Sequence, residues 1–288
     1  MKVLILGYKG MLGQSLTDEF KNNGYEVVLW DKEDIDVGDF ELLNQKIKEA
    51  QPDILINATA VNAVDKIEED PNVFELAWKI NGEAIGELAK ICKEQNILLV
   101  HYSSDYVFYG DKKEGYDENS ETNPVDKYGQ TKDKGEKLLQ EKGDKYYLIR
   151  LSKLFGKPAI SEGAKKSFVD TMIWLANEGG KTHLDLVNEE ISSPTYAPDL
   201  ARFTRNLLEE NKPFGIYHGA NSGVCSWYEL GKATFELKNI KIDISPVSGD
   251  KFPRPARRPS YSELKNTRMP PQRDWQEALK EYLKTITV

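Results

Sequence analysis

The sequence predicts an α/β protein: a doubly wound parallel sheet over residues 1–155, followed by a smaller α/β region over residues 156–288. Three observations predict it. Short runs rich in Val, Ile and Leu alternate with segments of helical periodicity through the first half of the chain. Continuous apolar strands separated by helices are the pattern of a parallel sheet covered on both faces. A glycine-spaced turn joins the first strand to the first helix, and after about Phe155 the regular alternation breaks.

Taken in order, Lys2–Leu6 reads as a buried strand, Met11–Lys21 as a helix and Glu26–Trp30 as a second strand. Asp53–Asn57, Ile97–Ser103 and Tyr146–Leu151 read as further strands. The stretches Phe74–Lys93 and Tyr128–Glu141 carry apolar residues at helical spacing. Gly156–Leu186 is a mixed segment. Ser193–Pro194 punctuates the chain before a helix near Pro198–Glu209, and residues 187–210 are expected to return to the first domain. Short strands follow near Ile216–His218 and Ile242–Pro246, with helices at Ser226–Leu237 and Trp275–Lys284. The Pro- and Arg-rich stretch Phe252–Ser260 is a loop by its chemistry. There is no internal repeat and no low-complexity tract.

At 288 residues the chain can hold one large α/β domain with a smaller companion. Its 39% hydrophobic share suffices for a core, while 30% charged residues fit a soluble enzyme rather than a membrane protein. The mean hydropathy of −0.58 agrees. A net charge of −8 gives no global field to attract nucleic acid. Arg254, Arg257 and Arg258 cluster locally, which suits a small anion better than a polyanion. The two cysteines, Cys92 and Cys225, form no CxxC pair, so a reducing compartment is expected. MKVLILGYKG begins as a strand cut short by glycine and lacks the pattern of a signal peptide. No apolar stretch approaches membrane-spanning length. The expected location is the cytoplasm. His101, His183 and His218 lie far apart without metal-ligand spacing, so no metal is predicted.

Gly7, Gly10 and Gly13 form GxxGxxG between a strand and a helix. The first permits a tight turn, the second lets backbone approach a pyrophosphate, and the third allows close helix–strand packing. Met11 and Leu12 open the helix, whose unpaired N–H groups point at the phosphates. This is a Rossmann-type cofactor turn, and NADH or NADPH is the expected cofactor. Asp31, ending the second strand, is placed for the adenosine ribose and favours NAD. Lys32 follows it and suits a 2′-phosphate, so the preference stays open. Asp36 and Val37 are expected beside the adenine.

Tyr128 and Lys132 form YxxxK at the start of a helix, where residues four apart share a face. An ammonium nearby favours phenolate and lowers a tyrosine pKa from about 10. Such a tyrosine exchanges a proton with a sugar oxygen while nicotinamide exchanges hydride with its carbon. Spacing alone selects nothing, because Tyr109/Lys113, Tyr228/Lys232 and Tyr261/Lys265 repeat it. Only Tyr128 follows the strand ending in the hydroxyl pair Ser103–Ser104 by one loop's length and opens a helix inside the alternating domain. Adjacent strand residues face opposite ways, so one serine is structural, and Ser104 is preferred for the substrate oxygen.

These residues resemble the extended short-chain dehydrogenase/reductases, and within them the dTDP-4-dehydrorhamnose reductase family, nearly end to end. The marks are Asn57–Ala58 through Val64–Asp65, Ser103–Phe108, Tyr128–Lys132, Ser193–Thr195, Ser226–Tyr228 and Ala256–Ser260. The resemblance implies a nucleotide-sugar substrate whose 4-keto group is reduced, with Ser104, Tyr128 and Lys132 as the catalytic set. It implies Ala58, Thr59 and Ala60 at the cofactor, and Lys132 on the nicotinamide ribose. Asp105, Tyr106 and Lys153 would line the sugar site, with Arg257 near the nucleotide phosphates.

The departures are Lys153 where the family usually has tryptophan, Val61 for tyrosine and Met11 for glutamine. Ser15 replaces an acid that binds magnesium at a dimer contact in some members. The resemblance leaves a homodimer open. It also leaves two alternatives: an epimerase or dehydratase that retains its NAD, and a non-catalytic binding subunit like the β subunit of methionine adenosyltransferase.

Overall fold

The computed structural model describes residues 1–161 and 166–286. In chain order, β1 (Lys2–Leu6), α1 (Met11–Asn22), β2 (Glu26–Trp30), α2 (Phe40–Ala50) and β3 (Ile54–Asn57) come first. Two short helices, α3 (Val64–Glu69) and α4 (Pro71–Ala77), run through a π turn at Trp78–Glu83 into α5 (Ala84–Glu94). Then come β4 (Leu98–Ser104), α6 (Lys127–Lys142) and β5 (Tyr146–Leu151). The remainder holds β6 (Leu154–Phe155), α7 (Phe168–Asn177), β7 (His183–Val187), β8 (Ile191–Ser192), β9 (Thr195–Tyr196) and α8 (Ala197–Glu209). It ends with β10 (Gly215–His218), α9 (Trp227–Lys238), β11 (Asp243–Val247), β12 (Tyr261–Ser262) and α10 (Trp275–Thr285).

Six strands make one parallel sheet in the order β10-β5-β4-β3-β1-β2. From β1 the chain steps to β2 on one side and then crosses to β3 on the other. At such a reversal the connecting helices diverge and a crevice opens beyond the carboxyl ends of the strands. Alternation along β1 sends Val3 and Ile5 to one face and Leu4 and Leu6 to the other. The first face is covered by α1 and α8 through Leu16, Phe20, Leu200 and Phe203. The second is covered by α2, α5 and α6 through Leu43, Ile47, Leu88 and Leu139. The sheet is therefore doubly wound, as the strand pattern predicts.

The return of the carboxy-terminal half to this sheet is longer than residues 187–210, because β10 pairs with β5 and carries the chain through His218. Two helices lie where the sequence rhythm is weak. Helix α2 follows an acidic run and is started by Asp39, which accepts the Leu42 N–H. Helix α7 is almost wholly apolar, so its periodicity is faint, and Ser167 caps it by accepting the Asp170 N–H.

A second core gathers Phe155, Ile173, Tyr196, Leu230, Trp275 and Leu279. Two small parallel pairings, β6 with β9 and β8 with β12, carry that half toward the mouth of the sheet. No helix among the described residues is long and apolar enough to cross a membrane.

Candidate active site

Gly7 leaves β1 at φ +79°, the left-handed region that glycine enters without strain. A Cβ on Gly13 would lie 2.1 Å from the Gly7 carbonyl oxygen, so only hydrogen lets α1 pack on the turn. Gly10 caps α1 without a side-chain hydrogen bond, and no acid stands in the first turn. The N–H groups of Met11 and Leu12 are thus open to an anion, while the Leu12 side chain sits in the core. Across the crevice, a Cβ on Gly7 would come within 3.1 Å of the Ala58 carbonyl and the Thr59 methyl. Ala60 lies exposed beyond them. A narrow, glycine-lined cradle ending on an uncapped helix fits a dinucleotide diphosphate.

Asp31 ends β2, but its carboxylate is engaged by the turn. It accepts the Lys9 N–H at 3.0 Å and the Lys32 N–H at 2.9 Å. The Lys32 side chain is exposed beside it. Asp36 accepts the Gly38 N–H at 2.8 Å, and Val37 packs in the core with Leu43 and Ile47.

Helix α6 begins at Asp126, whose Oδ1 accepts the Gly129 N–H at 2.6 Å. A Cβ on Gly129 would meet the Tyr106 carbonyl oxygen at 2.3 Å, so this glycine lets α6 press on the turn after β4. Tyr128 is thereby set edge-on to Tyr106, with ring centroids 5.5 Å apart. The Ser104 hydroxyl lies close enough to the Tyr128 phenol to favour its ionised form. Burial nevertheless pushes that phenol up from its ordinary value, with the Asp105 and Asp126 charges adding to burial and Ser104 opposing it. This corrects the expectation that Lys132 lowers it. The Lys132 Nζ is turned to the Tyr102 carbonyl oxygen at 2.8 Å and lies 3.4 Å from His101 Nε2. Burial pushes Lys132 itself down to about 8, against the opposing charge of Glu136.

Asp105 was expected to line the sugar site, and the structure places it beneath. It is 2% exposed, and its carboxylate accepts the hydroxyls of Ser262 at 2.6 Å, Ser152 at 2.8 Å and Ser104 at 3.1 Å. The short β8/β12 pairing brings Ser262 alongside Ser192, whose hydroxyl hydrogen-bonds that of Ser152. Asp105 therefore anchors Ser104 rather than facing a ligand. Ser103, on the other face of β4, has a buried hydroxyl without a hydrogen-bond partner among the described residues.

Lys153 sits at φ +41° and points inward, donating to the carbonyl oxygens of Glu190 and Cys225. Its ammonium lies 4.7 Å from the Trp227 ring centroid, a cation–π contact, and burial pushes its pKa down. The Trp227 indole N–H and Arg254 both bind the Glu190 carboxylate. A cavity of about 430 Å³ opens behind this cluster, lined by Phe168, Met172, Leu186, Trp227, Phe252 and Arg254. Of the loop arginines, Arg258 is held by Asp65 at 2.8 and 2.9 Å. Arg257 is exposed over the Tyr109 ring, centroid 5.1 Å away, and forms no ion pair with a described residue.

Sequence reasoning missed Asn57, His101, Asp126, Glu190 and Trp227 as neighbours of this site. A buried histidine on the strand leading to Ser104 was the available signal for His101. Asp126 is an N-cap whose Oδ2 is buried without a partner among the described residues, and burial pushes its carboxyl up to about 6. Folding therefore binds a proton between about pH 4 and pH 6, and stability falls as pH rises through that window. Asp126→Asn keeps the cap and removes the charge. Urea melts should show the variant about 1–2 kcal/mol more stable than the parent at neutral pH, with the difference vanishing below about pH 4.

The remaining YxxxK copies go elsewhere: Lys232, for instance, lies on α9, half exposed and 3.9 Å from Glu236. Tyr128 and Lys132 open α6 beside the carboxyl end of β4.

The whole chain, residues 1–288, matches the model of the RmlD substrate binding domain. It is 34% identical over 286 residues to the spore coat polysaccharide biosynthesis protein SpsK of Bacillus subtilis, covering 98% of this chain and 96% of that one. It is 33% identical to the dTDP-4-dehydrorhamnose reductase of Mycolicibacterium smegmatis, covering 99% and 86%. The crystal structure of dTDP-4-dehydrorhamnose reductase from Bacillus anthracis in complex with NADP superposes with a TM-score of 0.92 at 33% identity, covering 99% of both chains. With the glycine cradle, the Ser104–Tyr128 contact and Lys132 standing at one crevice, these matches lead to one conclusion: the chain belongs to the RmlD substrate-binding-domain family, that of the dTDP-4-dehydrorhamnose reductases.

Proposed function

We propose that this protein reduces the 4-keto group of a nucleotide-linked 6-deoxy sugar, dTDP-4-dehydrorhamnose to dTDP-L-rhamnose, with NADPH or NADH in the cytoplasm. The observation that carries this reading is the convergence at the carboxyl end of β4 of Ser104, which acts on the Tyr128 phenol against the effect of burial, with Tyr128 and, one helical turn on, Lys132. The bound nicotinamide would supply hydride to C4. Tyr128 holds its proton tightly enough to stay a phenol, the form that can donate to O4. Ser104, steadied by Asp105, orients that oxygen. Met11 and Leu12 offer N–H groups to the cofactor diphosphate, and Arg257 offers its guanidinium to the phosphates of the sugar nucleotide. The nucleotide base would occupy the cavity beside Trp227, whose volume suits a planar ring. Residues 1–155 with the return through β10 would carry the cofactor, and most of 156–288 the substrate.

Turnover of a panel of 4-keto nucleotide sugars, followed as loss of reduced-nicotinamide absorbance, tests the reading. Consumption with the dTDP-linked keto sugar supports it, and inertness toward the whole panel overturns it. Because the Asp31 carboxylate is bound to the turn while the Lys32 side chain is exposed beside it, the site favours a 2′-phosphate. Lys32→Ala should raise KM for NADPH about tenfold and leave that for NADH nearly unchanged, a charge-assisted hydrogen bond being worth about 1.5–3 kcal/mol. Equal losses with both cofactors would remove Lys32 from that role.

A further inference from the structure

Asn57 ends β3 and stands in register with His101 on β4. The orientation of its amide is fixed by Thr59, which donates both its N–H at 3.1 Å and its hydroxyl at 2.6 Å to Asn57 Oδ1. The opposite orientation would set an NH₂ against a backbone N–H. The amide nitrogen then faces His101 Nδ1 at 3.3 Å, and there it can only donate. Nδ1 is therefore an acceptor. Burial holds the fully enclosed imidazole neutral, well below its ordinary pKa, so its one proton is on Nε2.

Nε2 lies 3.4 Å from Lys132 Nζ. An ammonium has N–H groups only and cannot accept from Nε2–H. An amine can, through its lone pair, while still donating to the Tyr102 carbonyl oxygen at 2.8 Å. We propose that Asn57 and His101 form a positioning pair, with His101 locked as the Nε2–H tautomer, that denies the Lys132 ammonium an acceptor and so eases loss of its proton until cofactor and substrate enter the crevice.

The groups facing Lys132 are consistent with this. Among the described residues, Lys132 Nζ meets His101 and the Tyr102 carbonyl of β4, both uncharged, with the neutral Asn57 of β3 behind His101. From the π turn, Asn81 offers an uncharged amide that donates to Thr131 at 3.0 Å. On α6 itself the Tyr128 phenol is neutral, and Glu136 favours the ammonium. That carboxylate is already taken by Arg150 of β5, at 2.6 Å. An anionic cofactor arriving at the cradle would tip Lys132 toward the ammonium, so the pair ties the charge of Lys132 to occupancy of the site.

This inference rests on the reading of Lys132 as part of the catalytic set, but its test does not. Nitrogen NMR of the histidine rings in the full-length, ligand-free protein distinguishes the tautomers directly. The expected result for His101 is a protonated Nε2 and an unprotonated Nδ1. An Nδ1–H tautomer or an imidazolium overturns the proposal.

Asn57→Asp then presents a carboxylate to Nδ1, which draws the proton there and makes Nε2 an acceptor for an ammonium. The Lys132 titration, assigned by the signal missing from Lys132→Met, should rise from about 8 by about one pH unit or more. An unchanged titration with the tautomer reversed overturns the proposal. If Asn57→Asp does not fold, His101→Gln offers Lys132 a carbonyl oxygen and should produce the same rise. If Lys132→Met turns substrate over at the parent rate, the catalytic reading fails while the ring-nitrogen result stands on its own.

Discussion

Tyr128→Phe is expected to lower kcat by about 10²–10⁴-fold, the range that a positioned general acid contributes. The substitution is narrow. The ring keeps its edge-on contact with Tyr106, 5.5 Å between centroids, and α6 keeps its cap at Asp126, so little but the hydroxyl is lost. Cofactor affinity should hardly change, because the cradle is built from Gly7, Gly10, Gly13 and the open N–H groups of α1. The phenol is pushed up by burial, so in the parent protein it stays protonated through the neutral range and well above it. The rate of sugar reduction should accordingly show no inflection from Tyr128 itself below the alkaline limit of the assay. Steady-state kinetics with saturating reduced cofactor, alongside nicotinamide fluorescence titration, separates the two effects. A kcat within a few-fold of the parent would mean that O4 takes its proton from another donor.

The strands were legible because burial on both faces leaves a signature in the chain: Leu4, Ile5, Leu55, Ile56 and Ile149 are fully enclosed. The glycine turn was legible because its chemistry is local. A left-handed φ at Gly7 and a forbidden Cβ at Gly13 are properties of residues a few positions apart. Helix α2 was hidden because its cap, Asp39, looks like one more acid in an acidic run. The site was half legible for a similar reason. Tyr128 and Lys132 share a helix face and can be paired from spacing once the strand before them is recognised. Asp105 could not be understood that way, since its meaning comes from Ser152 and Ser262, brought in by the small strands of the carboxy-terminal half. Lys153 illustrates the same limit. It was expected to line the sugar site in place of the usual tryptophan, yet its ammonium is spent on two backbone carbonyls, and the aromatic surface there belongs to Trp227. Contacts across 40 or more residues carry no periodicity, and only the folded chain reveals them.

The largest loss of stability is expected from Arg150→Met. Arg150 on β5 and Glu136 on α6 are 2% and 1% exposed, and they meet as a fork: Nε to Oε1 at 3.0 Å and Nη2 to Oε2 at 2.6 Å. The guanidinium also lies 4.9 Å from the Phe108 ring centroid. Beside it, His218 is held to a pKa of about 3 by burial and by the arginine charge, so in the parent protein it adds no charge to the pair. Removing Arg150 therefore strands a carboxylate inside the core, which costs about 3–5 kcal/mol. Replacing both partners with methionine avoids the stranded charge, and most of the loss should return. Urea denaturation of the parent, the single variant and the double variant decides it. A double variant as unstable as the single would assign the loss to packing around Phe108 instead. The pair also matters to the site, because Glu136 is one helical turn from Lys132 and supplies the charge that favours its ammonium. With Arg150 gone and the fold still intact at low temperature, Glu136 acts on Lys132 uncompensated. Lys132 should then titrate higher than in the parent, which joins the stability of the β5–α6 contact to the charge state of the catalytic lysine.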